Sequence, residues 1–260
     1  MNLTTESRTS TLTVHPHDPY FFDHPLDHLP GMALVCGLLD LLRTTDPGCL
    51  EQPGRRLRLS LDLPTFCEPD QPVQLAAAPD GDRMAVRAHQ LGRLVCEGWC
   101  EVHEGPFQAD ESLEPAAGEL VHRHRPENVL ISAPARTVAL RRPPDGHRLA
   151  PPCPEAVIEA ARQFTTMLSH VEYAVPDDTR LILLAVEADL PCELTWDLRL
   201  RWACTAPPRG RSLMRFDVVA GDEPRGSVGI DYYAASPAIY RRLRHAGRPA
   251  VGQPTSGCTV

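Results

Sequence analysis

Acid–base side chains are concentrated in one short stretch near the start of the chain, where Asp23, His24, Asp27 and His28 fall within six positions. Imidazole is the side chain whose ordinary pKa lies nearest neutrality, so histidine can exchange a proton with a bound molecule at physiological pH. Pro25 keeps the stretch out of a helix interior. We therefore predict a stiff turn that presents histidines to a ligand.

An apolar helix follows this turn. Pro30 suits the first turn of a helix, and the apolar residues from Met32 to Leu42 keep helical spacing. A helix that is apolar all round is buried, and the unpaired N–H groups at its start favour negative charge. We predict a helix over 30–43, with the N–H of Gly31 as a donor to an oxyanion.

Composition limits the classes of function. The chain has 260 residues, 42% of them hydrophobic, and a net charge of −8, so we expect a substantial core and no nucleic-acid partner. An apolar run long enough for a membrane span is absent from the sequence, and nine scattered cysteines are typical of a reduced, cytoplasmic protein. The sequence contains no lysine, which excludes a lysine Schiff base. We expect no cofactor.

A metal site is not favoured either. The pairs His24/His28 and His122/His124 have spacings seen in metal sites, but Pro25 disrupts the helical spacing that the first pair needs. We therefore predict that the chain binds no metal.

Predicted elements occur twice in the same order: a strand, a turn, a buried helix and four strands. An N-terminal unit covers 11–104, an acidic linker rich in proline and glycine covers 105–119, and a C-terminal unit covers 120–246. A Gly/Pro-rich tail, 247–260, is predicted to be flexible. These halves indicate an α+β fold.

Alternating or apolar runs predict the strands, and helical spacing with flanking prolines predicts the helices. The predicted strands are 12–14, 56–63, 73–78, 84–90, 93–103, 129–131, 137–141, 180–190, 194–204, 212–220 and 227–234. The second long helix is 151–170, and a short amphipathic helix is 238–245.

The two buried helices can be aligned with an offset of 123 residues, which lays Cys36 on Glu159 and Asp40 on Gln163. The same offset lays His24 on His147. The repeat thus predicts two equivalent positions for chemistry, of which only one keeps a carboxylate on the helix at the aligned position.

Four segments resemble the family of A-factor biosynthesis (AfsA-type) hotdog proteins, which includes butyrolactone-autoregulator synthases. They are DHPLDHLPGM at 23–32, HRHRPENVLIS at 122–132, IEAARQ at 158–163 and LSHVEYAVP at 168–176. The resemblance implies a double hotdog, with two antiparallel sheets each wrapped around a central helix. It also implies an acyl carrier protein or CoA thioester as substrate. The chain departs from the family pattern in the apparent order of its halves and in having Cys36 at the glutamate position.

Hotdog resemblance further implies a site between the halves, with a histidine from one half and an acid from the other half's helix. Site one pairs His24, as the base, with Glu159, as the acid. Site two pairs His147 with Cys36 and Asp40, and we predict that it is inactive.

Dehydration of a β-hydroxyacyl thioester is the reaction that this pair favours. His24 would remove the α-proton, and a glutamate whose pKa is raised in an apolar helix would protonate the leaving hydroxyl. The alternatives are AfsA-like transfer of a β-ketoacyl group to a glycerol-type acceptor, and acyl binding without turnover. Glu159 would alternatively form a structural ion pair with an arginine.

Other residues are assigned supporting roles. Asp27 and His28 organise the turn, Gln163 holds Glu159 from one helical turn away, and Arg162 meets a phosphate or a carboxylate. At the second site a structural role is favoured over chemistry. We expect His147 to be a packing histidine and Cys36 a core residue. The arginines at 241, 242 and 244 are expected either on a solvated face or against an acidic carrier protein. A homodimer is compatible with the sequence.

Overall fold

Ten antiparallel strands form one sheet that carries both halves of the chain. The computed structural model describes residues 7–45, 50, 55–104, 115–132, 137–202 and 211–246. Most of the predicted linker and the whole predicted tail, 247–260, lie outside the described residues. The strands and long helices of the described residues all lie within the two halves.

Each half contributes one strand, one long helix and four further strands, as the repeat predicts. The first half comprises β1 (Arg8–Leu12), α1 (Gly31–Thr45), β2 (Arg55–Asp62), β3 (Val73–Asp80), β4 (Arg83–Gln90) and β5 (Arg93–Glu104). The second half comprises β6 (Thr137–Ala139), α2 (Pro154–Val171), β7 (Arg180–Pro191), β8 (Arg199–Trp202), β9 (Arg211–Ala220) and β10 (Glu223–Ala235), followed by α3 (Pro237–Ala246). Two 3-10 turns, Gly118–Val121 and Pro126–Asn128, precede β6.

Strand order shows that the halves are related. The sheet runs β1-β3-β4-β5-β2-β7-β10-β9-β8-β6, so each half has the order first, third, fourth, fifth, second. β2 and β7 pair in the middle, with Leu59 opposite Ala188. The expected two sheets are therefore joined edge to edge into one, which leaves neither β2 nor β7 as an unpaired edge.

Three of the predicted strands are misplaced, absent or too long. The strand predicted at 12–14 lies earlier, as β1. Residues 129–131 form only an isolated bridge, between Ile131 and Leu140, because the N–H of Leu130 donates to the side chain of Gln163 on α2. Of the predicted strand 194–204, whose last two residues lie outside the described residues, only β8 is a strand, and the hydroxyl of Thr195 donates to Asp197 in the turn that precedes it. Side-chain hydrogen bonds of this kind compete with strand pairing.

The two long helices are buried against the sheet and touch each other. α1 is apolar along its buried face, whereas α2 buries polar residues at every fourth position: Glu155, Glu159 and Gln163. Arg43 of α1 donates to both carboxylate oxygens of Glu155, at 2.5 and 2.9 Å. The helix pair is thus joined by a bidentate ion pair, as buried charge requires.

A glycine marks the same crossing in each half. A Cβ on Gly98 of β5 would lie 1.9 Å from the carbonyl oxygen of Ser60 in β2, and a Cβ on Gly226 of β10 would lie 2.1 Å from the carbonyl oxygen of Asp189 in β7. Neither position has room for a side chain, so strand five can lie this close to strand two only because the residue is glycine.

The substitution Gly98→Ala is expected to destabilise the fold by about 2 kcal/mol, because the new methyl group has to displace backbone. The matched control is Gly229→Ala on β10, where the nearest atom to an added Cβ is 3.4 Å away, at ordinary contact distance. Urea unfolding of both variants measures the difference. Equal midpoints for the two variants would contradict the close approach at Gly98.

Candidate active site

A cavity of about 1280 Å³ opens where the His24 turn, α2, β7 and α3 meet. Its walls are largely apolar, with leucines from α1, β7 and the segment after β2. The polar side chains that line it come from both halves of the chain and include His24, Asp27, His28, His122, Arg123, Arg162, Asp177, Asp178, Arg180 and Tyr240. A large apolar cavity with a few convergent polar groups is the arrangement expected of a ligand site.

His24 lines this cavity as a neutral imidazole. Burial is the largest cause, and the neighbouring Arg162 and Arg123 add to it, so that the pKa of His24 falls from 6.5 to about 3. Its Nδ1 is buried and has no hydrogen-bond partner among the described residues. His24 therefore has a lone pair for a proton, while two guanidinium groups oppose the charge that a proton would bring.

Glu159 is placed differently from the expectation. It is fully buried, does not line the cavity, and accepts hydrogen bonds from Arg123 (2.8 Å from Nη2), Arg162 (2.7 Å from Nε) and Gln163 (2.8 Å). Burial raises its pKa, but Arg123 and then Arg162 outweigh burial and lower the pKa from 4.5 to about 2. The prediction of a raised pKa is wrong, because the apolar helix face is covered by two guanidinium groups. An ionised carboxylate cannot supply a proton at neutral pH.

Arg123 ties the two halves together at this point. Its side chain is 6% exposed, and its Nη1 donates to the carbonyl oxygen of Tyr20 at 2.7 Å while the guanidinium lies over the Tyr20 ring. The next residues repeat the pattern, since the N–H of Arg125 donates to Asp23 and the amide of Asn128 donates to the carbonyl of Pro19. The segment after Val121 thus fixes the His24 turn from the other half.

The sequence reasoning missed Arg123, although it lies within the HRHRPENVLIS motif. Its partner Glu159 is 36 residues away, so no helical or strand spacing joins them. The signal available was the motif itself, which contains two arginines that had no assigned role.

Asp27 and His28 form a small network with α3. The hydroxyl of Tyr240 donates to Asp27 Oδ1, so the short contact between that hydroxyl and His28 Nδ1, 2.8 Å, requires Nδ1–H to be the donor. The lone pair of His28 is then on Nε2. Burial is the main cause of a lowered pKa at His28, which keeps this ring neutral as well.

Arg244 corrects the expectation for the arginine cluster at 241, 242 and 244. It is 4% exposed and bonds both carboxylate oxygens of Glu68, at 3.2 and 3.1 Å, as well as the backbone carbonyl of Asp27. Only Arg241 and Arg242 lie on the exposed face of α3. Helix α3 is therefore anchored through Arg244 and Tyr240 to the turn that carries His28.

The residues predicted for a second site are not gathered in the cavity. His147 accepts the N–H of Leu149 at Nδ1 (3.0 Å) and donates from Nε2 to Asn128 (2.8 Å), so both ring nitrogens are occupied. Cys36 is 1% exposed, and burial raises the pKa of its thiol far above the ordinary value. Asp40 is exposed and pairs with Arg43 and Arg148. These contacts are structural.

Gly31 begins α1 and lines the cavity. A Cβ there would lie 2.9 Å from Leu63 and 3.0 Å from Leu183, so the first turn of the helix packs tightly against both apolar side chains. The first N–H groups of a helix have no acceptor within the helix. The start of α1 therefore offers N–H donors beside the histidines.

The described ranges contain neither a cluster of metal-ligating side chains nor a membrane-spanning helix. No group of three or more histidine, cysteine or carboxylate side chains there is arranged to hold a metal ion. Among the same residues, no helix combines the length and the apolar character that crossing a bilayer demands.

Part of the chain is similar in sequence to a known family. Residues 107–221 match the sequence model of the AfsA family, described as an A-factor biosynthesis hotdog domain. The matched segment comprises 115 of the 260 residues. A curated relative from Streptomyces virginiae, 2-oxo-3-(phosphooxy)propyl 3-oxoalkanoate synthase, is 32% identical over 85 residues. The match covers 30% of the chain and only 28% of that relative's length.

Comparison of structures extends the hotdog assignment to both halves. The dehydratase domain from the CurJ module of the curacin polyketide synthase covers 90% of the chain and 93% of its own length, with a TM-score of 0.62 and 11% identity. The PpsC dehydratase domain from Mycobacterium tuberculosis covers 88% and 94%, with a TM-score of 0.59 and 15% identity. At sequence identities this low, the structural similarity establishes only the fold. The chain has a double-hotdog fold.

Glu159→Gln is expected to lower the free energy of unfolding by about 3 kcal/mol, because the buried guanidinium of Arg123 and the partly buried one of Arg162 then face a neutral amide. A glutamate whose only role was to donate a proton would leave stability unchanged. The control is Asp145→Asn, an exposed ion pair with Arg142 whose loss is expected to change little. Urea unfolding of the two variants distinguishes a structural role of Glu159 from a role as proton donor alone. Equal stabilities of the two variants would contradict a structural ion cluster.

Acid is expected to destabilise the chain through its neutral histidines. Because the pKa of His24 is about 3 in the folded chain and 6.5 ordinarily, the unfolded chain binds more protons between these values, so stability falls as pH decreases through that window. His122, with a pKa of about 4, acts in the same direction. Melting temperatures measured from pH 7 to pH 4 are expected to fall less steeply in His24→Gln than in the wild type. Parallel slopes would argue against a neutral, buried His24.

Proposed function

We propose that the chain acts on an acyl thioester and transfers a 3-oxoacyl group to the hydroxyl of a small phosphorylated acceptor. The observation that carries the proposal is the state of Glu159, which is ionised and presents Arg162 to the cavity in place of an acid. A guanidinium beside neutral histidines suits binding of an anion and acceptance of a hydroxyl proton.

The name of the Streptomyces virginiae relative supports this acceptor. Its product is an ester between a 3-oxoalkanoate and the hydroxyl of a three-carbon ketone that carries a phosphate. Dihydroxyacetone phosphate is the alcohol from which such an ester forms. A site for it needs a cation for the phosphate and a base for the hydroxyl. Arg162 and the cavity's histidines meet both needs.

The proposed reaction has two steps. The hydroxyl oxygen attacks the thioester carbonyl carbon while a neutral imidazole takes the hydroxyl proton; the sequence singles out His24 for this role. N–H groups at the start of α1, near Gly31, stabilise the oxyanion that forms. The carbon–sulfur bond then breaks, the thiolate takes the proton back from the imidazole, and an ester and a free thiol result.

A carrier-bound or CoA thioester is proposed as the acyl donor. The PpsC dehydratase domain, which shares the fold, has been solved in complex with C12:1-CoA. In this chain, Arg180 and Arg241 are exposed at the cavity rim, as are Asp177 and Asp178. The two guanidinium groups are the candidates to bind phosphates of a CoA or carrier arm.

Dehydration of a β-hydroxyacyl thioester is the second candidate, favoured by the likeness of the whole chain to dehydratase domains. A CurJ dehydratase variant in which a histidine is replaced by phenylalanine is described as inactive. His24 would act as the base in this candidate also. Because Glu159 is held ionised, the proton for the leaving hydroxyl would have to come from another group.

One incubation distinguishes the candidates. The protein is mixed with 3-oxoacyl and β-hydroxyacyl thioesters of N-acetylcysteamine and CoA, with and without dihydroxyacetone phosphate, and the products are weighed by mass spectrometry. Transfer predicts an ester that forms only with the acceptor. Loss of water would support dehydration instead, and ligand-induced stabilisation with unchanged masses would indicate binding without turnover.

Arg162→Gln is expected to lower the rate of ester formation by about 100-fold, because the cavity wall loses the guanidinium that Glu159 holds in place. Arg162→Lys keeps the charge without the bidentate geometry and is expected to retain more activity. The control is Arg142→Gln on the surface, whose side chain is 62% exposed. Melting curves confirm that each variant is folded, and full activity in folded Arg162→Gln would remove this residue from the proposal.

A further inference from the structure

A second histidine of the cavity, His122, is held in place by a series of two hydrogen bonds that runs through the ring of His170. His170 Nδ1 lies 2.8 Å from the carbonyl oxygen of Val175, and His170 Nε2 lies 3.0 Å from His122 Nε2. A carbonyl only accepts, so His170 Nδ1 carries hydrogen. In the uncharged pair, His122 Nε2–H then donates to His170 Nε2, and the lone pair of His122 is on Nδ1.

The backbone is unusual at both ends of this series of hydrogen bonds, at His122 and beside Val175. His122 has φ of +51°, and Ala174, which precedes Val175, has φ of +50°; within the described part of the chain only one other non-glycine residue, Leu91, has a positive φ. L side chains rarely adopt this region, and where they do the surrounding structure imposes it, often at a functional site. Here the backbone conformation sets both the ring of His122 and the carbonyl that anchors His170.

The charges around His122 keep it neutral. Burial, His170, Arg162 and Arg180 all oppose a proton on this ring, and only the exposed Asp177 favours one. His122 lines the same cavity as Arg162 and His24. In contrast to His24, whose Nδ1 is buried without a described partner, His122 has a second group that fixes its orientation. A base oriented by a third group is the arrangement that activates hydroxyl nucleophiles in many enzymes.

We propose that His122 is a catalytic residue of the proposed transfer, with Nδ1 as the atom that takes the proton of the attacking hydroxyl, and that His170 is its positioning residue. The inference rests on the proposed function and reassigns the base of that reaction from His24 to His122. As the hydroxyl oxygen bonds to the thioester carbon, its proton moves to His122 Nδ1. When the carbon–sulfur bond breaks, the same proton passes to the departing thiolate. His170 Nε2 accepts the His122 Nε2–H throughout and so keeps the lone pair on Nδ1.

The decisive variant is His122→Gly. Glycine adopts a φ of +51° without strain, so this variant is expected to unfold at an unchanged or higher temperature while the rate of ester formation falls about 100-fold. Added imidazole is expected to restore part of the rate, because it can occupy the emptied space. The matched control is Leu91→Gly, with the same φ of +51° but 63% exposed and outside the cavity wall, which is expected to keep full activity.

Variants of His170 test the positioning role. His170→Phe is expected to lower kcat with little change in KM, and His170→Gln, which keeps a polar side chain, to retain more activity. Ester formation by His122→Gly at the wild-type rate, or a loss of rate that merely follows a loss of stability, would overturn the inference and leave the proposed function standing. Absence of ester from the wild-type protein would overturn both.

Discussion

The ion cluster of Glu159 with Arg123 and Arg162 determines the character of the cavity. Placing charges in the interior is unfavourable by several kcal/mol for each ion unless it is paired and hydrogen-bonded. Here one carboxylate faces two guanidinium groups, and Gln163 completes its hydrogen bonds. The excess positive charge faces the cavity through Arg162. That charge, together with burial, holds His24 and His122 in their neutral forms.

The same cluster explains why a symmetric fold has an asymmetric site. Both halves have the same strand order around one long helix, yet α2 carries a buried polar residue at every fourth position while α1 has Cys36 where α2 has Glu159. Without a carboxylate at that position, a buried arginine equivalent to Arg123 would have no counter-charge. The first half therefore contributes its turn and helix start to a site whose buried ion cluster belongs to the second half.

The sequence predicted what depends on periodicity and missed what depends on distant pairs. The repeat, the two long helices and eight of the strands follow from local patterns, and the HRHRPENVLIS and IEAARQ motifs lie within the residues that match the AfsA family model. Residues 129–131 were mistaken for a strand because Gln163, from a distant helix, takes the hydrogen bond of Leu130. The low pKa of Glu159 and the burial of Arg244 likewise depend on partners 36 and 176 residues away. The pairing of β2 with β7 was not predicted, because a strand has the same alternation of apolar and polar residues whether it lies at the edge or in the middle of a sheet.

The balance between elimination and transfer depends on what the leaving group needs. Hydroxide is a poor leaving group, so dehydration requires a proton donor in the cavity. Thiolate departs without one, since the pKa of a thiol is about 8.5. In this chain Glu159, the carboxylate that an elimination would use, is held ionised by two arginines, and burial keeps the neighbouring histidines neutral. Guanidinium groups and neutral imidazoles suit the binding of an anion and the acceptance of a proton better than the supply of one. The pairing of Glu159 with Arg123 and Arg162 is therefore the feature that supports the proposed acyl transfer over dehydration.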